Sequence, residues 1–209
     1  MAESSDPHAA AKRHIQKHCP VLGPHVKRFG PCKLVPNPDS FAMLCRSIIS
    51  QQISTKAADS IRGRTLKLLG GKFTPKRFAK VSDDELRSCG LSAGKVKFLR
   101  DLVARVEDGT VPIRKLPAME NDEVRERLIV VKGIGPWTVD MFLMFSLGRP
   151  DVLPVGDLGI RAAVKKLWTM NELPTPSELT EIAEPWRPYR TVASWYLWRT
   201  IEPENAWGE

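Results

Sequence analysis

Two short stretches carry residues whose types and spacing can do chemistry. The first is Val131-Lys132-Gly133-Ile134-Gly135-Pro136-Trp137-Thr138. Two glycines two apart let a backbone turn tightly and approach another molecule closely. Pro136 suits the first turn of a following helix. The N–H groups of such a turn and helix start point outward, where they bind phosphate oxygens through hydrogen bonds and the helix dipole. A plain helix–turn–helix connection explains the same glycines on local grounds. The second stretch is Leu153-Pro154-Val155-Gly156-Asp157-Leu158-Gly159-Ile160-Arg161. Pro154 and Gly156 stiffen and turn the approach, and Asp157 then stands at the head of a helix, where a carboxylate is favoured. Taken alone, Asp157 reads as well as a helix N-cap, a role aspartate fills often.

The elements that must position these residues are helices. Strand-like alternation with hairpin turns is absent, so the expected class is all-α. Short helices are expected over 8–19 and 20–29, the second begun near Pro20. Gly30-Pro31 and Pro36-Asn37-Pro38 make a stiff connector. Asp39 or Ser40 caps a helix through Phe41, Leu44, Ile48 and Ile49, whose spacing keeps one apolar face. A break at Ser50-Gln51-Gln52 separates it from a helix over 54–69, stopped by Gly70-Gly71. Thr74-Pro75 starts a short helix, and Ser82 with Glu85 has capping-box spacing for another. Further helices are expected over 92–106, 121–131 (capped by Asn121), 137–147 and 157–168. A Pro-rich connector follows, then a last helix over 192–199. The Pro-rich zones divide the chain into a central helical lobe, 39–150, and a second lobe built from 1–38 plus 151–209. The helix-hairpin-helix lies at about 121–147.

Charge narrows the partner. The chain of 209 residues has a net charge of +8, and the surplus is in the middle. Residues 1–40 carry six Lys/Arg against three Asp/Glu, residues 41–170 carry 23 against 14, and residues 171–209 carry three against seven. A basic body suits a polyanion, because cations that neutralise phosphates release counterions. No apolar run approaches the roughly 20 residues of a membrane span. The polar N-terminus lacks a secretory signal, so an intracellular location is expected, in cytoplasm and nucleoid or in a nucleus. Cys19, Cys32, Cys45 and Cys89 form no C-x-x-C pair, and buried free thiols are expected rather than a metal site.

The hairpin, followed 22 residues after Gly135 by Asp157 in P-V-G-D-L-G-I-R, resembles the helix-hairpin-helix (HhH-GPD) DNA glycosylase superfamily. It is most similar to the 3-methyladenine DNA glycosylase II, or alkylpurine glycosylase, family. The resemblance covers about residues 10–203 and also runs through Ile48-Ile49-Ser50-Gln51-Gln52-Ile53-Ser54 and through Trp186-Arg187-Pro188-Tyr189-Arg190 to Trp198. It implies two helical lobes with the active-site cleft between them, and a monofunctional enzyme that flips and hydrolytically removes alkylated purines. The partner implied is double-stranded DNA bearing such bases, bound by a monomer.

Residue by residue, the resemblance assigns Asp157 as the catalytic carboxylate. Breaking a purine N-glycosidic bond builds oxocarbenium character on the sugar, which a carboxylate stabilises while it orients or deprotonates a water. Trp137 takes the place of the catalytic lysine of bifunctional relatives, and an indole forms no Schiff base. Trp137, Trp198 and Met141 are assigned to the base pocket. Stacking of the rings on a cationic purine is worth on the order of 0.5–2 kcal/mol. Asp140, beside Met141, receives no role. Trp168 and Trp186, with Trp195 next, are expected in the core. Gln52 matches the wedge that fills the gap left by the flipped base. Lys132, Gly133, Ile134, Gly135 and Thr138 are assigned to the DNA backbone. No cofactor is required, although a monovalent cation, sodium or potassium, is allowed at the hairpin carbonyls. Departures from the family pattern are the missing β-rich N-terminal domain of its larger members and the missing four-cysteine cluster of the endonuclease-like branch. Two alternatives are a glycosylase for uracil or oxidised purines and a non-catalytic module that binds DNA with the same hairpin.

Overall fold

The computed structural model describes residues 6–201, and its regular structure among them is helical throughout. Twelve α-helices follow one another: α1 Ala9–His18, α2 Gly23–Phe29, α3 Ser40–Ser50, α4 Thr55–Leu68, α5 Pro75–Phe78, α6 Asp83–Ser88, α7 Ala93–Glu107, α8 Asn121–Ile129, α9 Pro136–Phe145, α10 Leu158–Leu167, α11 Pro176–Ile182 and α12 Arg190–Ile201. The chain divides into two units, one running to Pro36 and resuming at Gly148, the other spanning Asn37–Leu147.

Helix starts in the 37–147 unit follow their caps. Asp39 accepts from the Ala42 amide, Ser54 from Ala57, Thr74 from Arg77 and Ser92 from Lys95, and Ser82 with Glu85 closes a capping box. These bonds satisfy amides that a helix cannot satisfy itself. Phe41, Leu44, Cys45, Ile48 and Ile49 place one stripe of α3 in the core against α4, α7 and α9. Helix α9 is buried from Thr138 to Met144, as expected for a helix apolar on nearly every side. The Asn37 amide donates to the Phe145 carbonyl and the Ser146 hydroxyl to the Asn37 carbonyl, which ties the unit's two ends together.

The other unit pairs α10 with α12 and α1 with α2. Ile15, Leu22, Val26, Ile160, Val164, Trp186 and Tyr196 are fully buried there, and Tyr196 Oη donates to the Gly30 carbonyl at 2.7 Å. Trp195 joins this core, whereas Trp168 is only half-buried against Trp186. The four cysteines are free and buried. Burial pushes the Cys32 thiol up to about 12 and the Cys45 thiol up as well, so neither ionises readily.

Some boundaries differ from expectation. Helix α2 begins at Gly23, after a turn in which the Gly23 amide bonds to the Cys19 carbonyl. Asn121 is the first residue of α8 rather than its cap, and the preceding Glu120 is tied by its amide to Glu123. The stretch read as a connector after Trp168 contains α11, opened by a Thr175–Glu178 capping box with Pro176 in its first turn.

Candidate active site

The hairpin joins α8 to α9, and three side chains from elsewhere in its unit seat it. Gly133 has a φ of 82°, a conformation glycine adopts freely, and a Cβ there would lie 2.3 Å from Phe98 Cδ2. The ring of Phe98 on α7 therefore packs directly beneath the turn. One helical turn on, Asp101 Oδ2 accepts from the Lys132 amide at 2.9 Å. Gln51, from the loop between α3 and α4, donates its Nε2 hydrogen to the Gly133 carbonyl at 2.7 Å. None of these partners is legible in the hairpin's own sequence. Asp101 also accepts from Arg105 Nε at 2.8 Å. Burial acts to raise the Asp101 pKa, but the Lys132 amide and Arg105 outweigh it and hold the carboxyl below its usual range.

The seating changes which hairpin groups can reach a phosphate. The Ile134 amide donates to the Val131 carbonyl at 3.0 Å within the turn, and the Ile134 side chain is buried. Of the hairpin amides assigned to the DNA backbone, that of Ile134 is thus bonded within the turn. The Lys132 amide is likewise committed to Asp101, while the Lys132 side chain is 70% exposed with Nζ 3.8 Å from Asp101 Oδ1.

A cavity of about 480 Å³ opens beside the hairpin, lined by Ser47, Ser50, Gln51, Gln52, Gly133, Gly135, Trp137 and Thr138. Trp137 is 46% exposed, unusual for so large an apolar ring. Gln52 is exposed with a φ of 57°, a left-handed conformation that costs a non-glycine residue roughly 1–2 kcal/mol. Lys95 on α7 donates to the Ile49 carbonyl at 2.7 Å, which neutralises the C-terminal end of α3 just before this loop. Met141, one turn beyond Trp137, is buried in the core.

Asp157 lies in the other unit. It is the N-cap of α10 and is 8% exposed. Its Oδ1 accepts from the Ile160 amide at 2.8 Å and from Trp198 Nε1 at 3.0 Å. Trp198 is likewise 8% exposed, and its indole N–H is directed at the carboxylate. Gly159 makes the approach possible: a Cβ there would stand 3.1 Å from Asp157 Oδ1 and 3.2 Å from Trp198 Cδ1. Helix α12, which carries Trp198, is anchored at its start by Arg190, whose Nε meets Asp151 Oδ1 at 2.6 Å. Replacing Trp198 with Phe keeps an aromatic ring and deletes the donor. Losing a hydrogen bond to a charged group costs about 1.5–3 kcal/mol, so any rate set by Asp157 should fall roughly tenfold or more. Single-turnover kinetics with unchanged DNA affinity would bear this out, and an unchanged rate would contradict it.

An ion pair between a half-exposed arginine and a buried carboxylate joins the helices on either side of the hairpin. Arg125 Nη1 on α8 lies 2.6 Å from Asp140 Oδ1 on α9. Burial pushes the Asp140 carboxyl above the ordinary carboxylate range, and Arg125 opposes that push without reversing it. Folding thus favours the protonated acid: that contribution is full below the usual carboxylate pKa and is lost as pH rises through the raised folded value. Arg125→Met strands the carboxylate and should cost on the order of 2–3 kcal/mol near neutral pH. The loss should shrink as pH falls into the acid range, because Asp140, held above the ordinary carboxylate range by burial, then takes up its proton. Thermal melts at both pH values check this, and an equal loss at both would refute it.

No helix among the described residues is long and apolar enough to cross a membrane, and no group of three or more His, Cys, Asp or Glu there could hold a metal. The chain belongs to the HhH-GPD superfamily of base excision DNA repair proteins, whose family model matches residues 45–188. It is 35% identical over 178 residues to DNA-3-methyladenine glycosylase 1 of Schizosaccharomyces pombe, covering 84% of this chain and 78% of that protein. The crystal structure of DNA-3-methyladenine glycosidase from Bacillus halodurans superposes with a TM-score of 0.83 at 37% identity, covering 96% of this chain and 92% of that one. The S. pombe 3-methyladenine DNA glycosylase in complex with abasic DNA superposes with a TM-score of 0.81 at 34% identity, covering 92% and 96%.

Proposed function

We propose that this chain is a monofunctional DNA glycosylase that removes alkylated purines from double-stranded DNA in base excision repair. The observation that carries the reading is Asp157, a buried carboxylate held at the head of α10 by the Ile160 amide and the Trp198 indole. The names of relatives at 34–37% identity supply the substrate class.

The reaction is hydrolysis. The bond from the sugar C1′ to the purine nitrogen breaks, and its electron pair leaves with the base. A purine alkylated at N3 or N7 is already cationic, so it departs neutral without a strong acid. Asp157 stabilises the positive charge that builds on the sugar and takes the proton of the water that bonds to C1′. The products are a free base and an abasic site. The exposed Trp137 face stacks on the cationic base. It carries no amine, so no Schiff base forms there and the strand stays whole. Gln52 fills the gap in the duplex, and its left-handed loop position keeps the amide exposed for that purpose. The amides of Gly133, Gly135 and Thr138, with the Lys132 side chain, hold the backbone. A sodium or potassium ion fits the oxygen chemistry of the hairpin, since the Val131 and Gly133 carbonyls each accept one hydrogen bond and retain a second lone pair. Such an ion would stiffen the turn. In this reading the chain acts as a monomer on intracellular DNA.

Duplexes carrying methylated purines, uracil or 8-oxoguanine test the reading. Free alkylated purine should be released, the strand should break only after alkali, and borohydride should trap no covalent adduct. Release confined to uracil or 8-oxoguanine would overturn the substrate class. A borohydride adduct would overturn the monofunctional assignment, and binding with no base released would leave only a DNA-binding module.

A further inference from the structure

A second cavity lies against the end of α3, the start of α4 and the loop that joins them, and none of its lining residues belongs to the hairpin. It measures about 400 Å³ and is lined in part by Arg46, Ser47, Ser50, Ile53, Thr55 and Arg62. Ser47 and Ser50 also line the hairpin-side cavity, so the last turn of α3 is the wall between the two. Both spaces share the hydroxyls of Ser47 and Ser50, and the hairpin side adds that of Thr138. The far side alone has guanidinium groups, two of them, beside the Asp59 carboxylate and the apolar Met43, Ile49, Ile53 and Ala58. Paired guanidiniums suit an anion with several oxygens.

Arg46 Nε is buried and makes no hydrogen bond. Arg62 Nη2 meets Asp59 Oδ1 at 3.0 Å, with side chains 43% and 53% exposed. A surface pair of that kind is weak and exchanges readily for a phosphate oxygen. Beside them Ile53 stands 36% exposed next to Gln52.

We infer that the Arg46–Arg62 cavity binds backbone phosphates of the undamaged strand. The inference rests on the proposed function, in which the loop enters the duplex where the base has left. A duplex parted by that loop has one strand on each side of it. The hairpin grips one strand through Lys132 and its amides. The other strand runs past the opposite wall, where the two arginines and the hydroxyls of Ser47, Ser50 and Thr55 meet it. Phosphate contacts of this kind set register and orientation without reading sequence. A grip on both strands also keeps the partner strand in place while Gln52 and Ile53 occupy the gap.

Arg62→Ala is the primary test, because Arg62 is half-exposed and its loss spares the core. Arg46→Gln is the second variant. Affinity for a duplex containing an abasic analogue is measured across salt concentrations, beside a single strand carrying the same analogue. Each variant should lower the salt slope for the duplex by about 0.9 for every phosphate it no longer neutralises and leave the slope for the single strand unchanged. Methylphosphonates in the undamaged strand opposite the lesion should weaken the wild type and abolish the further effect of Arg62→Ala, whereas methylphosphonates in the damaged strand should leave that effect intact. An unchanged duplex slope, or an equal loss on the single strand, would overturn the inference. Lys132→Ala is the reference and should lower the slope on both substrates. If it does so while Arg62→Ala is silent, the inference alone fails. If neither changes the slope, the DNA-binding reading of this unit fails as well.

Discussion

Gly133→Ala should unseat the hairpin and lower affinity for every duplex, whatever its sequence. Two costs add. Alanine at a φ of 82° gives up roughly 1–2 kcal/mol of backbone energy. Its Cβ would also sit 2.3 Å from one Phe98 ring carbon and under 3 Å from two more. Overpacking of that kind costs about 1–3 kcal/mol, because neighbours must move. Here the neighbour is a ring on α7, and its displacement would disturb Asp101 and the Lys132 amide one turn away. Thermal stability and DNA affinity should therefore fall together, the affinity by about tenfold or more.

Gly135 separates the two roles. Its φ of −103° suits any residue, and a Cβ there meets nothing within 4 Å. Gly135→Ala should melt within about 0.5 kcal/mol of the wild type. It should still bind DNA more weakly, because the added methyl stands where a phosphate must approach the backbone. Melting curves and binding isotherms of the two variants check this pair. A Gly133→Ala protein that melts and binds like the wild type would mean that the turn is not seated on Phe98. A Gly135→Ala protein with unchanged affinity would remove the hairpin backbone from the DNA interface.

The two variants also show where the sequence was readable. The glycine spacing and Pro136 mark a turn and a helix start because those features are local, and the same holds for the caps at Asp39, Ser54, Ser82 and Ser92. Asp157 as an N-cap is local in the same way. What supports these residues is not local. Asp101 and Gln51 lie 31 and 82 positions from their hairpin partners, and Trp198 lies 41 from Asp157. No periodicity announces such contacts. Trp198 is the clearest case. Its residue type points to a stacking platform, and its N–H bond to the Asp157 carboxylate is a contact that residue type alone does not announce. Gly159 did carry a signal: a glycine in the first turn of a helix has no propensity reason to be there, and the close approach of Asp157 and Trp198 supplies one. Helix α11 was missed because Pro174, Thr175 and Pro176 read as a connector, although proline at the first helical position favours a start.

Asp157→Asn carries the largest expected effect. The amide matches the carboxylate in size, and its oxygen can still accept from Ile160 and Trp198, so the cap should persist. What disappears is the negative charge that stabilises the sugar cation and the base that takes the water's proton. General-base catalysis alone is worth about 10²–10⁴-fold, and the electrostatic contribution adds to it. The decisive measurement is single-turnover release of methylated purine from a duplex by the wild type and by Asp157→Asn, with affinity for abasic-analogue DNA measured alongside. The expected rate is lower by about 10³-fold or more, with affinity within a few-fold of the wild type. Base release by Asp157→Asn at the wild-type rate would contradict the assignment of Asp157 as the catalytic carboxylate.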